Sequence, residues 1–200
     1  GGRRYYKPLH IGRVVIVPKW ETYEPREGEI IIRMDPGMAF GTGSHETTRL
    51  VIGLLEDTVT PGCNVLDVGT GSGILAVCAS KLGAADCRAY DIDPVAVEVA
   101  AENAAENGCA NVTVGQSDLL AGVAPGKYDV VCANIVADII IRMAPDIGRF
   151  MHDESTLLAS GIINERASDV IDALEANGFY IARALEDNGW TALAVKKLIG

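Results

Sequence analysis

The sequence predicts an α/β fold: a mostly parallel sheet of seven strands, closed by an antiparallel C-terminal hairpin, with helices on both faces. Three observations carry this. Between residues 64 and 177, short apolar runs alternate with longer segments of helical character, the pattern of repeated strand–helix units feeding a parallel sheet. Glycines and one Asp-Pro pair stand where those helices should stop or start. The final stretch breaks the alternation, because residues 179–185 and 190–195 flank the turn Asp187-Asn188-Gly189 with no helix between them.

Taken in order, residues 11–20 are β-branched and end beyond Pro18, and residues 29–34 repeat that character after the turn-rich Glu24-Pro25-Arg26-Glu27-Gly28. The two are expected to pair as a short hairpin. Asp35-Pro36-Gly37 is a turn signal, and Gly41-Thr42-Gly43-Ser44 a loop whose Ser44 can cap a helix from about His45 to Asp57. Residues 64–68 and 87–90 are strand-like, separated by a helix that Gly83 can end. Asp93-Pro94 then supplies an N-cap with proline at the first helical position, and Gly108 closes that helix. Residues 112–114, 128–133 and 156–160 give further strands. Helices are expected near 136–149, where Pro145 should kink or split the segment, and over 164–177, ended by Gly178.

Length and composition narrow the function classes. Two hundred residues suit one domain with a sizeable core. No apolar run approaches the roughly 20 residues of a membrane helix, and Gly1-Gly2-Arg3-Arg4 has no apolar signal core, so a cytoplasmic protein is expected. Cys63, Cys78, Cys87, Cys109 and Cys132 form no Cys-x-x-Cys pair and interrupt apolar segments. They read as small buried hydrophobes, so neither a metal nor a disulfide is assigned. The net charge of −10 conceals an uneven distribution: the first 20 residues hold five basic residues and no acid, leaving −15 on the rest. Such a body disfavours nucleic acid as a direct partner and suits a lysine-rich protein, though acidity also simply aids solubility.

Chemistry concentrates at Asp67-Val68-Gly69-Thr70-Gly71-Ser72-Gly73, with Asp91 ending the next strand 22 residues after Gly69. Glycines let the chain turn out of a strand and approach a ligand closely, the next helix aims its free N–H groups there, and an acid at that distance can accept from both ribose hydroxyls. The dinucleotide fingerprint would place its third glycine at position 74, where Ile74 stands, so the match to a nicotinamide dinucleotide is imperfect. Asp67 would repel a pyrophosphate but could hold an ammonium group, or merely tie down loop N–H groups. The order Asp-x-Gly-x-Gly-x-Gly followed by Asp91 resembles the first motifs of S-adenosylmethionine-dependent methyltransferases, whose Rossmann-like fold has a seven-stranded sheet with one reversed strand. That resemblance implies the order 3-2-1-4-5-7-6.

Further candidates lie at strand ends. Asp118 is a turn residue or an adenine contact, and Asp93 a helix cap. Asn134 could offer its carbonyl to a substrate nitrogen or to the cofactor, or could cap the next helix. His45 is the ionisable group best suited to assist proton removal, or a hydrogen-bonded histidine at a helix start.

Residues 35–48, reading Asp-Pro-Gly-Met-Ala-Phe-Gly-Thr-Gly-Ser-His-Glu-Thr-Thr, are similar to a signature of the bacterial ribosomal-protein methyltransferase family PrmA, which modifies large-subunit protein eleven. The likeness continues through Asp67–Gly73, Asp91–Pro94 and Asn134-Ile135, covering about residues 10 to 197. It implies cofactor contacts at Thr48, Gly69, Asp91 and Asn134, with Phe40 and the Gly41-Thr42-Gly43 loop closing over the cofactor. It also implies methylation of lysine side-chain or N-terminal amines. Family members carry an N-terminal recognition domain; here residues 1–34 resemble the linker and first strands, and residues 35–200 the catalytic domain. An N-methyltransferase for another protein or a small molecule, and a non-catalytic S-adenosylmethionine-binding module, stay open as alternatives.

Overall fold

In a computed structural model, residues 7–35, 37, 39 and 45–199 are described, His45 by its backbone alone. Fifteen elements follow in order among them: β1 (Leu9–Ile11), β2 (Val14–Val17), β3 (Ile30–Arg33), α1 (His45–Thr58), β4 (Asn64–Val68), α2 (Ile74–Lys81), β5 (Asp86–Asp91), α3 (Pro94–Glu106), β6 (Val112–Gln116), β7 (Tyr128–Asn134), α4 (Ala137–Ile147), β8 (Met151–Ile163), α5 (Ala167–Ala176), β9 (Phe179–Asp187) and β10 (Trp190–Lys197). The main sheet runs β6-β5-β4-β7-β8-β10-β9. Counted within that sheet, this is the order 3-2-1-4-5-7-6. The pairings from β6 to β8 are parallel, and β10 is antiparallel to both β8 and β9.

Local chemistry sets the element ends. Asp93 accepts from the N–H of Val95 at 2.9 Å with Pro94 at the first helical position, so α3 starts there. The β9–β10 connection is Asn188-Gly189 with φ of 46° and 91°, the paired positive values of a turn whose twist matches the strands it joins. In β4, Val65 packs into the core on one face of the sheet, and Leu66 and Val68 into the core on the other. The first core is completed by α1, α2 and the N-terminal strands, the second by α4 and α5, so β4 is covered on both sides.

Three expectations are corrected. The N-terminal hairpin is formed by β1 and β2, while β2 and β3 lie parallel, so the segment between them crosses back instead of turning tightly. The strand over 156–160 begins earlier, at Met151: Ser155 donates to the carbonyl of Tyr128, and His152 pairs with Asp129 at 2.7 Å, carrying the polar residues 152–155 into the sheet. Pro145 does not split α4, since it lies in the last turn and the helix passes through it to Ile147 before a short 3-10 turn.

The N-terminal strands are built into the body. Ile11, Val14, Ile16, Ile32 and Met34 are buried in the same core as Val51, Ile52, Leu54 and Leu55 of α1. Asn107, just past α3, accepts from the N–H of Arg33 at 2.8 Å and donates to its carbonyl at 2.9 Å. Asn107→Ala leaves both groups without that partner. It is expected to cost about 2 kcal/mol and to lower Tm by roughly 4–8 °C; a melt shifted by under about 1 °C would show that these bonds do not hold β3 in place.

Candidate active site

Strand order reverses between β4 and β7, and a ligand crevice is expected outside the carboxyl ends of the strands at such a point. A cavity of about 440 Å³ lies there, within the usual range of roughly 300–1,000 Å³ for small-molecule sites. Beyond β4 the chain turns through Gly69, whose φ is 72°, while the N–H groups of Gly69 and Thr70 both donate to the carbonyl of Tyr90 at 2.9 Å. A Cβ on Gly69 would stand 2.7 Å from Cγ2 of Ile135. The turn after β4 therefore packs directly on the segment after β7, and only glycine fits.

Asp91 fastens the loop from the neighbouring strand. One carboxylate oxygen accepts from the N–H of Gly71 at 2.9 Å and the other from that of Asp93 at 3.0 Å. Each oxygen keeps a lone pair for a ligand hydroxyl. Asp67 is 1% exposed and accepts from the hydroxyl of Thr70 at 2.7 Å. Burial pushes its pKa up to about 6, with the nearby charge of Asp91 adding to the rise; the Thr70 hydroxyl and the N–H of Ala76 oppose it.

Asn134, at the end of β7, accepts from the hydroxyl of Ser160 at 2.7 Å, and the N–H of Ile135 donates to the Ser160 carbonyl at 3.1 Å. It does not cap α4, whose N-cap is Val136 with no side-chain cap bond. Apolar walls come from Ile92, Leu119, Ile135, Val136, Ile139 and Trp190. The set of acceptors suits a ligand with a vicinal diol and a cationic group, and two carboxylates close together disfavour a pyrophosphate. Among the described residues, no group of three or more His, Cys, Asp and Glu side chains is arranged to hold a metal ion. All five cysteines are buried and free.

Residues 2–198 match the family described as ribosomal protein L11 methyltransferase (PrmA). The chain belongs to this family. Relatives bearing the family's name include proteins of Caldanaerobacter subterraneus subsp. tengcongensis, 50% identical over 98% of this chain and 63% of the relative, and of Pelotomaculum thermopropionicum, 50% identical over 97% and 63%. The chain thus spans somewhat less than two thirds of their length. A crystal structure of ribosomal protein L11 methylase from Lactobacillus delbrueckii subsp. bulgaricus superposes with a TM-score of 0.91 at 36% identity, covering 98% of this chain and 100% of that one. Precorrin-6y C5,15-methyltransferase of Geobacter metallireducens shares the fold, with a TM-score of 0.66 at 14% identity, covering 80% of this chain and 91% of that one.

Of the residues singled out from the sequence, Asp67, Gly69, Gly71, Asp91 and Asn134 line one cavity. Gly73 caps α2 against Ala100 of α3, and Thr48 is buried; neither is in the cavity wall, where Thr47 stands instead. Asp118 is exposed and outside the wall: the positive φ of Leu119, 51°, turns the chain so that Ser117 and Leu119 face inward. Phe40, Thr42, Gly43, the capping Ser44 and the side chain of His45 lie outside the described residues. Ile92, Ile139, Gly161 and Trp190 were not read from the sequence as wall residues. Ile92 could have been found by following β5 past its carboxyl end, and Gly161 directly follows the strand expected over 156–160; Trp190 opens the reversed strand of the expected hairpin, whose place beside β8 no local pattern indicates.

Proposed function

We propose that this chain is the catalytic part of a protein N-methyltransferase that uses S-adenosylmethionine to methylate lysine or N-terminal amines of a ribosomal large-subunit protein. In this proposal residues 35–200 form the catalytic domain and the strands before Asp35 brace it. The observation that carries it is the meeting of Asp91, the Gly69–Ser72 loop and Asn134 around one cavity, in a member of the family described as ribosomal protein L11 methyltransferase.

When bound, S-adenosylmethionine would supply a sulfonium methyl: the new N–C bond would form as the C–S bond breaks, the sulfur leaving as a neutral thioether and the methylated ammonium giving a proton to solvent. Asp91 accepts from two ribose hydroxyls while its bonds to Gly71 and Asp93 keep it in place. Asp67 balances an ammonium charge, and Ile92 and Leu119 give apolar surface for a base. Asn134 has one lone pair on Oδ1 beyond the bond from Ser160, and it orients an amine N–H in line for attack. A lysine with a pKa of about 10.4 must react as the neutral amine, a form that walls of Ile139 and Trp190 favour by desolvation. The resemblance in residues 35–48 is the basis for proposing Thr48, Phe40, Thr42 and Gly43 as further cofactor contacts, and the chemistry of an imidazole the basis for proposing His45 as a helper.

The test is incubation with methyl-labelled S-adenosylmethionine and purified large-subunit protein eleven, alongside a bacterial lysate. Label on that protein is expected. Label confined to the small-molecule fraction would favour a small acceptor, and calorimetric binding without transfer a non-catalytic module.

Asp67 gives a pH signature. Its folded pKa near 6 exceeds the unfolded value of about 3.9, so the native protein holds a proton there that the unfolded chain has lost between these values. On this account stability without cofactor falls as pH rises through that window and is flat above it. A cationic ligand favours the ionised form, so below about pH 6 its binding must expel the proton. Affinity is expected to be level above pH 7 and to fall by up to about tenfold per pH unit below 6. Asp67→Asn should weaken binding and flatten this profile in calorimetry between about pH 5 and 8; an unchanged slope would remove Asp67 from cofactor contact.

A further inference from the structure

Seven large apolar side chains are well exposed among the described residues, and four of them, Ile92, Val95, Val136 and Ile163, stand at the carboxyl-end rim of the main sheet. Scattered exposed apolar residues need no explanation, whereas a cluster at the mouth of a site does. Ile92 and Val136 contribute to the cavity wall, but Ile163, 43% exposed, does not. Strand register explains where it sits. Ile163 of β8 is opposite Trp190 of β10, which is opposite Asp187 of β9, so the three share one face in a row. Trp190 belongs to the cavity wall, so this row continues the site outward.

Charge flanks the strip. Asp138 follows Val136 with its side chain 71% exposed, Glu165 lies two residues after Ile163, and Asp187 ends the row. Arg166 on this rim bridges Asp138 at 2.7 Å and Asp169 at 2.9 Å, so among these described residues the carboxylates outnumber the cation. Apolar surface edged with carboxylates complements one kind of chain: lysine, whose aliphatic stem packs on apolar groups while its ammonium reaches a carboxylate.

We infer that the row Ile163–Trp190–Asp187, with Val136 and Asp138 beside it, is the docking surface for the acceptor, an extended lysine-bearing protein segment. This rests on the amine-methylation proposal and adds to it the surface that presents the lysine to the cavity. The target lysine passes Trp190 toward Asn134, and flanking residues lie over Ile163 with their cations against Asp187.

The test uses the whole chain with large-subunit protein eleven as probe, native and lysine-acetylated. Ile163→Ser is expected to raise the acceptor KM about fivefold, with kcat and cofactor Kd within twofold and Ile163→Val restoring the native value. Asp187→Asn should act similarly, and its effect should fade in about 0.5 M salt. Binding is followed separately through Trp190 fluorescence, with Trp20→Phe removing the other indole. A shift lost on acetylation or with Ile163→Ser sustains the surface even if no methyl is transferred, a result that would sink only the activity. Transfer with an unchanged KM in both variants overturns the surface alone, and neither transfer nor a fluorescence change overturns both. Self-association abolished by Ile163→Ser would assign the rim to a second copy and overturn the proposal.

Discussion

Asp91→Ala is expected to abolish measurable S-adenosylmethionine binding. The carboxylate has two tasks that alanine cannot share. Toward the ligand it offers two charged acceptors, and hydrogen bonds to charged groups contribute about 1.5–3 kcal/mol each. Toward the protein it fixes the glycine loop through the N–H of Gly71 and the start of α3 through that of Asp93. Losing the ligand bonds alone removes about 3–6 kcal/mol, roughly a 10²–10⁴-fold drop in affinity. Folding should suffer far less, because the freed N–H groups lie at the cavity edge, where water can reach them. Asp91→Asn should be intermediate: it retains one acceptor oxygen but turns an amide donor toward one of the two N–H groups. Calorimetry with the cofactor and a thermal melt separate the effects. A melt close to native with affinity within threefold would show that the cofactor's hydroxyls do not meet Asp91.

What the sequence made legible here was local. The alternation after Asn64, the Asp93-Pro94 start of α3 and the Asn188-Gly189 turn each depend on a few adjacent residues, and each is found where those residues put it. Gly69, Gly71 and Asp91 could be linked as one site because a glycine turn followed by a strand-ending acid is itself a local pattern. The misread parts depend on partners distant in sequence. Nothing within residues 11–34 distinguishes a hairpin from a parallel crossover; β3 is positioned by Asn107, 74 residues away, and by packing on α1. The start of β8 looks too polar for a strand until Asp129 and the Tyr128 carbonyl are beside it.

The same distinction applies within the cavity. Asp118 is a polar residue just past a strand end, as Asp91 is the polar last residue of its own, and from the sequence both are candidates for the site. The left-handed backbone of Leu119 separates them, held by the Ser117 hydroxyl, which donates to the Leu119 carbonyl at 2.7 Å and accepts from the N–H of Gly122 at 2.8 Å. The reversed β10 brings Trp190 to the cavity, so its place in the wall is a product of topology.

Gly161→Ala is expected to remove most turnover while leaving most cofactor affinity. Gly161 follows Ser160 in β8 with φ of 78°, and a Cβ there would lie 2.9 Å from Oδ1 of Asn134 and 3.0 and 3.1 Å from the backbone O and N of Ile135. A left-handed alanine costs about 1–2 kcal/mol, and the overpacking about 1–3 more. The clash cannot be relieved cheaply, since two of the three atoms are backbone and the third is held by Ser160. The least costly response is for Asn134 to move, and a misplacement of about 1 Å at a positioning group can lower kcat on the order of 100-fold. Asn134→Ala provides the comparison, because it removes the amide without adding bulk and should lower kcat by a similar factor with a much smaller loss of Tm. In both variants cofactor Kd should rise by no more than about fivefold, the size of one neutral contact. Equal losses in kcat would locate the effect of Gly161 in the position of the Asn134 amide. Full turnover in Gly161→Ala despite a lowered Tm would mean that the amide can move without consequence, and Asn134 would then have no part in aligning the acceptor.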